Sequence, residues 1–79
     1  MFLLHNTGRL VLHKNRLEYF DPVKDIKKGD IFFDKNSTTK LKDDFKFEIL
    51  SQNKTYVFKL EKVEAKQCIK KINKVIKLL

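Results

Sequence analysis

The sequence predicts an α+β domain that is mainly β, with six to seven short antiparallel strands followed by one amphipathic C-terminal helix. Between Phe2 and Leu60, apolar residues recur at a spacing of two in short segments bounded by Gly, Asn, Asp or Pro, which is the pattern of half-buried strands. From Val63 onward the spacing changes to three and four residues, as in a helix with one apolar face. No helical segment separates the strands, so an antiparallel sheet is expected. The helix must then cover an open end or face of a curled sheet.

Turn residues divide the strand region into its segments. The residues from Asn6 to Gly8 and the pair Lys14-Asn15 indicate tight hairpins. Asp21-Pro22 ends the third strand because proline lacks a ladder donor, and Val23 to Gly29 is then predicted as a basic loop. The predicted strands are Phe2 to His5, Leu10 to His13, Arg16 to Phe20, Asp30 to Phe33, a short edge strand Thr38 to Leu41, Phe45 to Ile49 and Tyr56 to Leu60, with a turn from Ser51 to Lys54.

Two late strands and the helix define the predicted core. Phe45, Phe47 and Ile49 alternate along the sixth strand and are expected on one face, as are Tyr56, Phe58 and Leu60 along the seventh. The helix is predicted at about residues 62–79, with Ala65, Cys68, Ile69, Ile72, Val75, Ile76 and Leu79 in one apolar stripe and Lys62, Lys66, Lys70, Lys74 and Lys77 on the opposite face.

The length of 79 residues allows one domain, 1–79, which we expect to be part of a larger protein. The longest apolar run, Met1 to Leu4, is far shorter than the roughly 18 residues that span a bilayer, and no cleavage site follows it. Cys68 is the only cysteine. It cannot form an internal disulfide, which fits a reducing compartment, and its place in the apolar stripe indicates a buried, inert thiol.

The net charge of +8 favours anionic partners such as phosphoinositide headgroups, acidic membrane or nucleic acid. The excess is uneven: residues 62–79 carry +5 and residues 1–61 carry +3. Lys24, Lys27, Lys28 and Lys54 fall at predicted connections between strands. If the sheet curls into a barrel, these connections converge at one open end, where ammonium groups would grip a phosphorylated headgroup. A charged loop that is exposed to solvent and binds no ligand would show the same pattern.

No pattern in the sequence predicts catalysis or metal binding. His5 and His13 are the only histidines, and neither is arranged with a nucleophile and an acidic orienting residue. One Cys and two separated His lack the spacing of a zinc site. A calcium loop that begins at Asp34 fails, because Thr39 occupies its glycine position and Phe45 its closing glutamate position. We therefore predict no enzyme activity, no cofactor and no metal.

Four motifs resemble those of the pleckstrin homology (PH) domain family. In chain order they are Arg16 to Pro22, Lys28 to Ile31, Lys54 to Phe58 and the helical spacing of Ala65, Cys68 and Ile72. The similarity runs from about Leu10 to Leu79. Within the family, the motifs look most like those of a protein kinase PH domain that is recruited to inositol lipids phosphorylated at the 3-position.

This resemblance implies an antiparallel barrel of seven strands capped by the helix, with a headgroup site at the barrel rim. Lys28 and Lys54 fall where such domains place basic residues on the headgroup. The residues Asn6 to Arg9 stand where the family has a longer basic loop, so Arg9 is the candidate ligand there, and Lys27 completes the predicted site. Cys68 stands where the family has a helix tryptophan.

The predicted function is a non-catalytic module that binds phosphoinositide headgroups and brings its parent signalling protein, for example a Ser/Thr kinase, to the membrane. The alternative is a lipid-independent interaction module that binds a protein partner or the parent kinase domain through the lysine-rich helix or strand edges. Nucleic acid is disfavoured because the sequence has no groove-reading motif or aromatic platform. The predicted location is cytoplasmic, with peripheral membrane association.

Overall fold

The computed structural model describes residues 2–4, 8–21, 24, 26–60 and 64–79. Seven strands precede one helix, as the alternating and then helical spacing predicts. The elements are β1 (Phe2–Leu4), β2 (Gly8–Leu12), β3 (Arg16–Phe20), β4 (Lys27–Phe32), β5 (Thr38–Asp43), β6 (Lys46–Ser51), β7 (Lys54–Lys59) and α1 (Ala65–Lys77).

The strands form two antiparallel sheets. The first sheet has the order β1-β2-β3-β4 and the second has the order β5-β6-β7. Every pairing joins strands that are consecutive in the chain, so short hairpins are sufficient to build both sheets. The predicted fold class, mainly β with one C-terminal helix, is therefore confirmed.

The core lies between the two sheets and the helix. In β3 the side chain of Leu17 is fully buried, whereas its neighbours Arg16 and Glu18 are only half-buried, because successive side chains of a strand point to opposite faces. The same alternation buries Phe47 and Ile49 of β6. The buried apolar residues are Leu10, Leu17, Ile31, Phe33, Phe47, Ile49, Phe58, Leu60, Ala65, Cys68 and Ile72.

The helix lies along β5 and also packs on β6. Glu64 is its N-cap residue, with extended backbone. The Ala65 N–H donates to the Asp44 carbonyl at 2.7 Å, which fixes the start of the helix to the turn between β5 and β6. The helix is thus shorter than the predicted 62–79: it begins at Ala65 and ends at Lys77, while residues 62 and 63 lie outside the described ones.

Cys68 is buried in the same cluster as Phe47 and Phe58, as predicted. Burial raises the pKa of its thiol to about 12, against a smaller opposing effect of Lys71. The thiol is therefore protonated at neutral pH, and a protonated thiol is a poor nucleophile. Cys68 is therefore an inert core residue in this chain.

Three predictions about individual residues need correction or lie outside the described residues. Phe45 does not share the buried face of Phe47: it lies in the turn between β5 and β6 and is 41% exposed. Lys27 and Lys28 belong to β4 rather than to a loop. The predicted breaks at residues 6–7 and at Pro22 fall on residues that the structure does not describe.

Candidate functional site

Two of the four predicted site residues, Arg9 and Lys27, lie on the outer face of the first sheet. Phe20 of β3 is paired with Lys27 of β4, and on its other side the Arg9 guanidinium of β2 stacks 4.2 Å from the Phe20 ring centroid. Arg9 and Lys27 therefore flank Phe20, at a Cα separation of about 10 Å, twice the strand spacing. The stacking is a cation–π contact that holds the guanidinium against the sheet.

Lys27 forms ion pairs with two carboxylates. Its Nζ lies 2.8 Å from Asp30 Oδ2 and 3.1 Å from Glu18 Oε2. The hydrogen bond to Asp30, followed by that to Glu18, raises the pKa of Lys27 above its ordinary value. Lys27 is therefore a firmly charged group, but much of its field is cancelled locally.

Glu18 connects this pair to a wider polar network. It accepts hydrogen bonds from His13 Nε2 and from Lys27, and these two bonds, His13 first, lower the pKa of the Glu18 carboxyl below its usual range. Arg16 Nε lies 3.3 Å from Asp30 Oδ1. The outer face of β2, β3 and β4 thus carries alternating charges whose principal effect is to neutralise one another.

Lys28 differs from Lys27 because it sits in a β-bulge. Tyr19 is paired with Gly29 and the next residue, Phe20, with Lys27, so Lys28 is the extra residue of β4. Bulges redirect side chains and recur beside functional sites. Lys28 is exposed, and no carboxylate of the described residues lies within ion-pair distance of its ammonium group. Its ammonium group is therefore accessible to a ligand from solvent.

Gly29 follows the bulge because a side chain would not fit there. A Cβ atom on Gly29 would lie 2.7 Å from Tyr19 Oη and 2.9 Å from the ring carbon Cζ, well inside van der Waals contact. The glycine lets the Tyr19 ring lie across β4 toward the second sheet. Its role was not predicted from the sequence, although a lone glycine inside a strand is a recognised sign of close approach.

Lys54 begins β7 immediately after a tight turn. It is paired with Ser51, and the two residues between them, Gln52 and Asn53, have φ values of 52° and 65°. Two consecutive positive φ values define the type I′ turn that suits the twist of a hairpin. Lys54 is exposed and, like Lys28, has no ion-pair partner in the part of the chain that the structure describes.

Two tyrosines join the neighbourhoods of Lys28 and Lys54. The Tyr19 ring lies 6.5 Å from the Tyr56 ring and 5.9 Å from the Phe58 ring, centroid to centroid. Lys28 precedes the residue opposite Tyr19, and Lys54 lies two residues before Tyr56. The two lysines are thus on different sheets, each within two residues of a position that takes part in, or lies opposite, this aromatic contact. Sequence reasoning placed Tyr56 on the inner face but could not pair it with Tyr19.

The described residues contain no group of three His, Cys, Asp or Glu side chains that could hold a metal ion. Among them there is also no helix long and apolar enough to cross a membrane. The exposed ammonium groups of Lys28 and Lys54 suit the binding of an anion.

Two sheets closed by one helix, with basic groups near strand ends, define a small binding module. A family model described as PH domain matches residues 2–79, so the chain belongs to the PH domain family. Neither the curated proteins nor the solved structures contain a match to the chain. PH domains are generally non-catalytic modules that bind lipids or proteins.

Proposed function

We propose that this PH domain binds phosphoinositide headgroups through Lys28 and Lys54, with Arg9 and Lys27 in supporting positions. The observation that carries the proposal is the pair of exposed lysines, one on each sheet, that lack ion-pair partners among the described residues. An ammonium group that no carboxylate neutralises is free to bind a phosphate.

The four basic residues contribute unequally in this proposal. Lys28 and Lys54 supply most of the attraction because no carboxylate of the described residues forms an ion pair with either of them. Arg9 is held against the Phe20 ring, which fixes its position at little entropic cost on binding. Lys27 is ion-paired with Asp30, so it attracts the ligand more weakly than Lys28 and Lys54 do.

The proposal extends to the parent protein. The motifs of this chain are similar to those of the PH domain at the C-terminus of phosphoinositide-dependent protein kinase-1. That similarity supports a cytoplasmic signalling protein, a Ser/Thr kinase of which residues 1–79 are the regulatory PH domain, that reaches the membrane peripherally when its lipid appears. Kinase activity would belong to another part of the parent protein.

A lipid-independent interaction module is the second candidate function. The neutralisation of Lys27 by Glu18 and Asp30 favours it, since one of the four predicted ligands is already occupied. The strand β5 also favours it, because five of its six residues are exposed at a sheet edge. The two candidates differ in whether phosphoinositides are bound at all.

Replacing Lys28 and Lys54 together by alanine tests the first candidate. Each lysine near an anionic surface contributes about 1 kcal/mol, so we expect the double variant to bind vesicles containing polyphosphoinositide about 30-fold more weakly. Cosedimentation with vesicles measures this. Raising the salt concentration should reduce the difference, because charges at a surface are screened over about 8 Å at physiological ionic strength.

The matched control replaces Lys66 and Lys70 of the helix by alanine, which removes the same charge from another surface. Equal losses for the two double variants mean that binding follows net charge rather than the Lys28 and Lys54 site. A wild-type domain that ignores phosphoinositide vesicles supports the interaction module instead.

A further inference from the structure

An open cavity lies where the hairpin between β2 and β3 meets the C-terminal end of the helix. Its volume is about 620 Å³, which falls within the range of about 300–1,000 Å³ that is typical of small-molecule sites. We call it the helix-end cavity; its lining residues are Lys14, Asn15, Val75, Leu78 and Leu79. None of them belongs to the proposed headgroup site.

The wall formed by the hairpin is polar. Lys14 and Asn15 are the two turn residues between β2 and β3, and both are exposed. The His13 N–H donates to the Arg16 carbonyl at 2.8 Å, and the Phe33 N–H donates to the Asn15 carbonyl at 2.9 Å, so the backbone of the turn is held in place. No carboxylate of the described residues lies within ion-pair distance of Lys14. Its ammonium group is accessible to a ligand.

The wall formed by the helix end is apolar. Val75 is half-buried and packs against the core cluster, whereas Leu78 is 80% exposed and Leu79 is 38% exposed. The Leu78 N–H donates to the Val75 carbonyl and the Leu79 N–H to the Ile76 carbonyl, each at 3.1 Å. Such bonds between residues three apart tighten the last turn of a helix. They hold both leucines at the cavity, where a ligand that covers them would remove apolar surface from water.

The charges around the cavity determine where an anionic group can bind. The C-terminal end of a helix carries a partial negative charge, which disfavours an anion beside Leu78. Lys74 and Lys77 in the last turn offset this charge. The hairpin wall is more favourable, because the Lys14 ammonium group attracts an anion and the Asn15 side-chain amide can donate a hydrogen bond to it.

We propose that the helix-end cavity binds a single-chain amphiphile with an anionic head, of the chemical class of a fatty acid. The carboxylate of the ligand contacts Lys14 and Asn15. Its hydrocarbon chain lies along Val75, Leu78 and Leu79. One cation, one amide donor and an apolar wall match one monoanionic head and one hydrocarbon chain.

The lining favours a hydrocarbon chain over a peptide as the occupant. The helix wall presents methyl groups, so a peptide would place backbone N–H and C=O groups against Leu78 and Leu79 without partners, and each such group costs free energy. A hydrocarbon chain has no such groups and needs polar partners only for its head. A bilayer surface is too flat to reach the half-buried Val75, so we expect a single bound molecule.

The helix-end cavity is separate from Lys28 of the proposed headgroup site. Phe33, which bonds to Asn15, follows the last residue of β4, while Lys28 lies near the first. A strand rises about 3.3 Å per residue, so the two ends of β4 are about 16 Å apart. Lys28→Ala should therefore leave the affinity for a fatty acid unchanged.

The test compares decanoate, below the concentration at which it forms micelles, with decanol, which has the same hydrocarbon chain and no charge. In nuclear magnetic resonance spectra, decanoate should shift the methyl signals of Val75, Leu78 and Leu79 and show nuclear Overhauser effects to them. Lys14→Met should weaken decanoate binding about two- to fivefold, the effect of one exposed ion pair, and should leave decanol binding unchanged. Lys59→Met, at an exposed lysine of β7, is the matched control and should change neither.

Leu78→Ser tests the apolar wall at a mostly exposed position, so the fold should persist. Both ligands should bind about tenfold more weakly, since an apolar contact is lost. Leu50→Ser, at an exposed leucine of β6, is its control and should have no effect.

Four results would overturn the proposal. Lys14→Met weakens decanoate binding no more than Lys59→Met does, or Leu78→Ser no more than Leu50→Ser does. A tripeptide of apolar residues with a free carboxylate binds more tightly than decanoate, which would make the cavity a peptide site. The methyl shifts arise only with vesicles that contain decanoate, which would mean that a membrane surface covers this end of the domain.

Discussion

Gly29 is the residue on which the aromatic contact between the sheets depends. The absence of a side chain there lets Tyr19 lie close to β4 and reach Tyr56. We expect Gly29→Ala to force the ring aside and to destabilise the domain by about 1–3 kcal/mol, the usual effect of overpacking. Urea unfolding followed by tyrosine fluorescence measures the loss.

A second substitution distinguishes overpacking from a general effect of alanine in the strand. Tyr19→Phe removes the hydroxyl, which makes the shortest contact with a Cβ at position 29. In that background Gly29→Ala should cost less than in the wild-type domain. An equal or larger cost would show that the Tyr19 hydroxyl is not the obstacle.

At the level of elements, the charged network joins β2, β3 and β4 through Glu18 and Lys27. The pKa of Glu18 is lowered below its ordinary value of 4.5, so its contribution to stability is complete above that value and is lost as the pH falls through the folded-state pKa. The pKa of Lys27 is raised above 10.5, so its contribution is complete below that value and is lost as the pH rises through the folded-state pKa.

The free energy of unfolding should therefore decline below about pH 4.5 and above about pH 10.5. Glu18→Gln should make the acid decline shallower, and Lys27→Met should do the same for the alkaline decline. Thermal unfolding across the pH range measures both. A Glu18→Gln profile that follows the wild-type acid decline unchanged would mean that Glu18 has no favourable partner in the folded domain.

The same elements show what local sequence can and cannot predict. The sequence predicted six to seven strands, and it predicted the mostly exposed β5 only as a short edge strand in a polar segment. Alternation indicated the more apolar strands, because burial of every second residue is a local signal. It extended the sixth strand to Phe45, which lies in a turn, and it began the fourth at Asp30 instead of Lys27. The early part of β4 is polar and is held by Glu18, a distant partner that no local pattern reveals.

The candidate site was predictable in its residues but not in its geometry. The resemblance to PH domains pointed to Lys28 and Lys54, and the structure leaves both exposed. The bulge that singles out Lys28 depends on the pairing register of Tyr19 and Phe20. Register is a property of two strands together, so spacing within one strand cannot predict it.

At the scale of the whole molecule, two serines connect the sheets. The Ser51 hydroxyl at the end of β6 donates to the Phe32 carbonyl at the end of β4, at 2.6 Å. It also lies 2.8 Å from the Ser37 hydroxyl. Both serines are buried, and the Ser37 hydroxyl also accepts the Asp34 backbone N–H at 2.9 Å, so protein groups rather than water satisfy these polar atoms. We expect this small polar contact to couple the unfolding of the first sheet to that of the second.

Ser51→Ala should therefore destabilise the whole domain, because it removes the donor to the Phe32 carbonyl, while the Ser37 hydroxyl keeps its contact with Asp34. An unsatisfied buried group costs about 1–3 kcal/mol, and we expect a lower urea midpoint with an unchanged slope, as for a domain that still unfolds as one unit. Thr55→Ala, at an exposed position of β7, is the control and should stay within about 0.5 kcal/mol. If Ser51→Ala has no more effect than Thr55→Ala, the two sheets are held together by apolar packing alone.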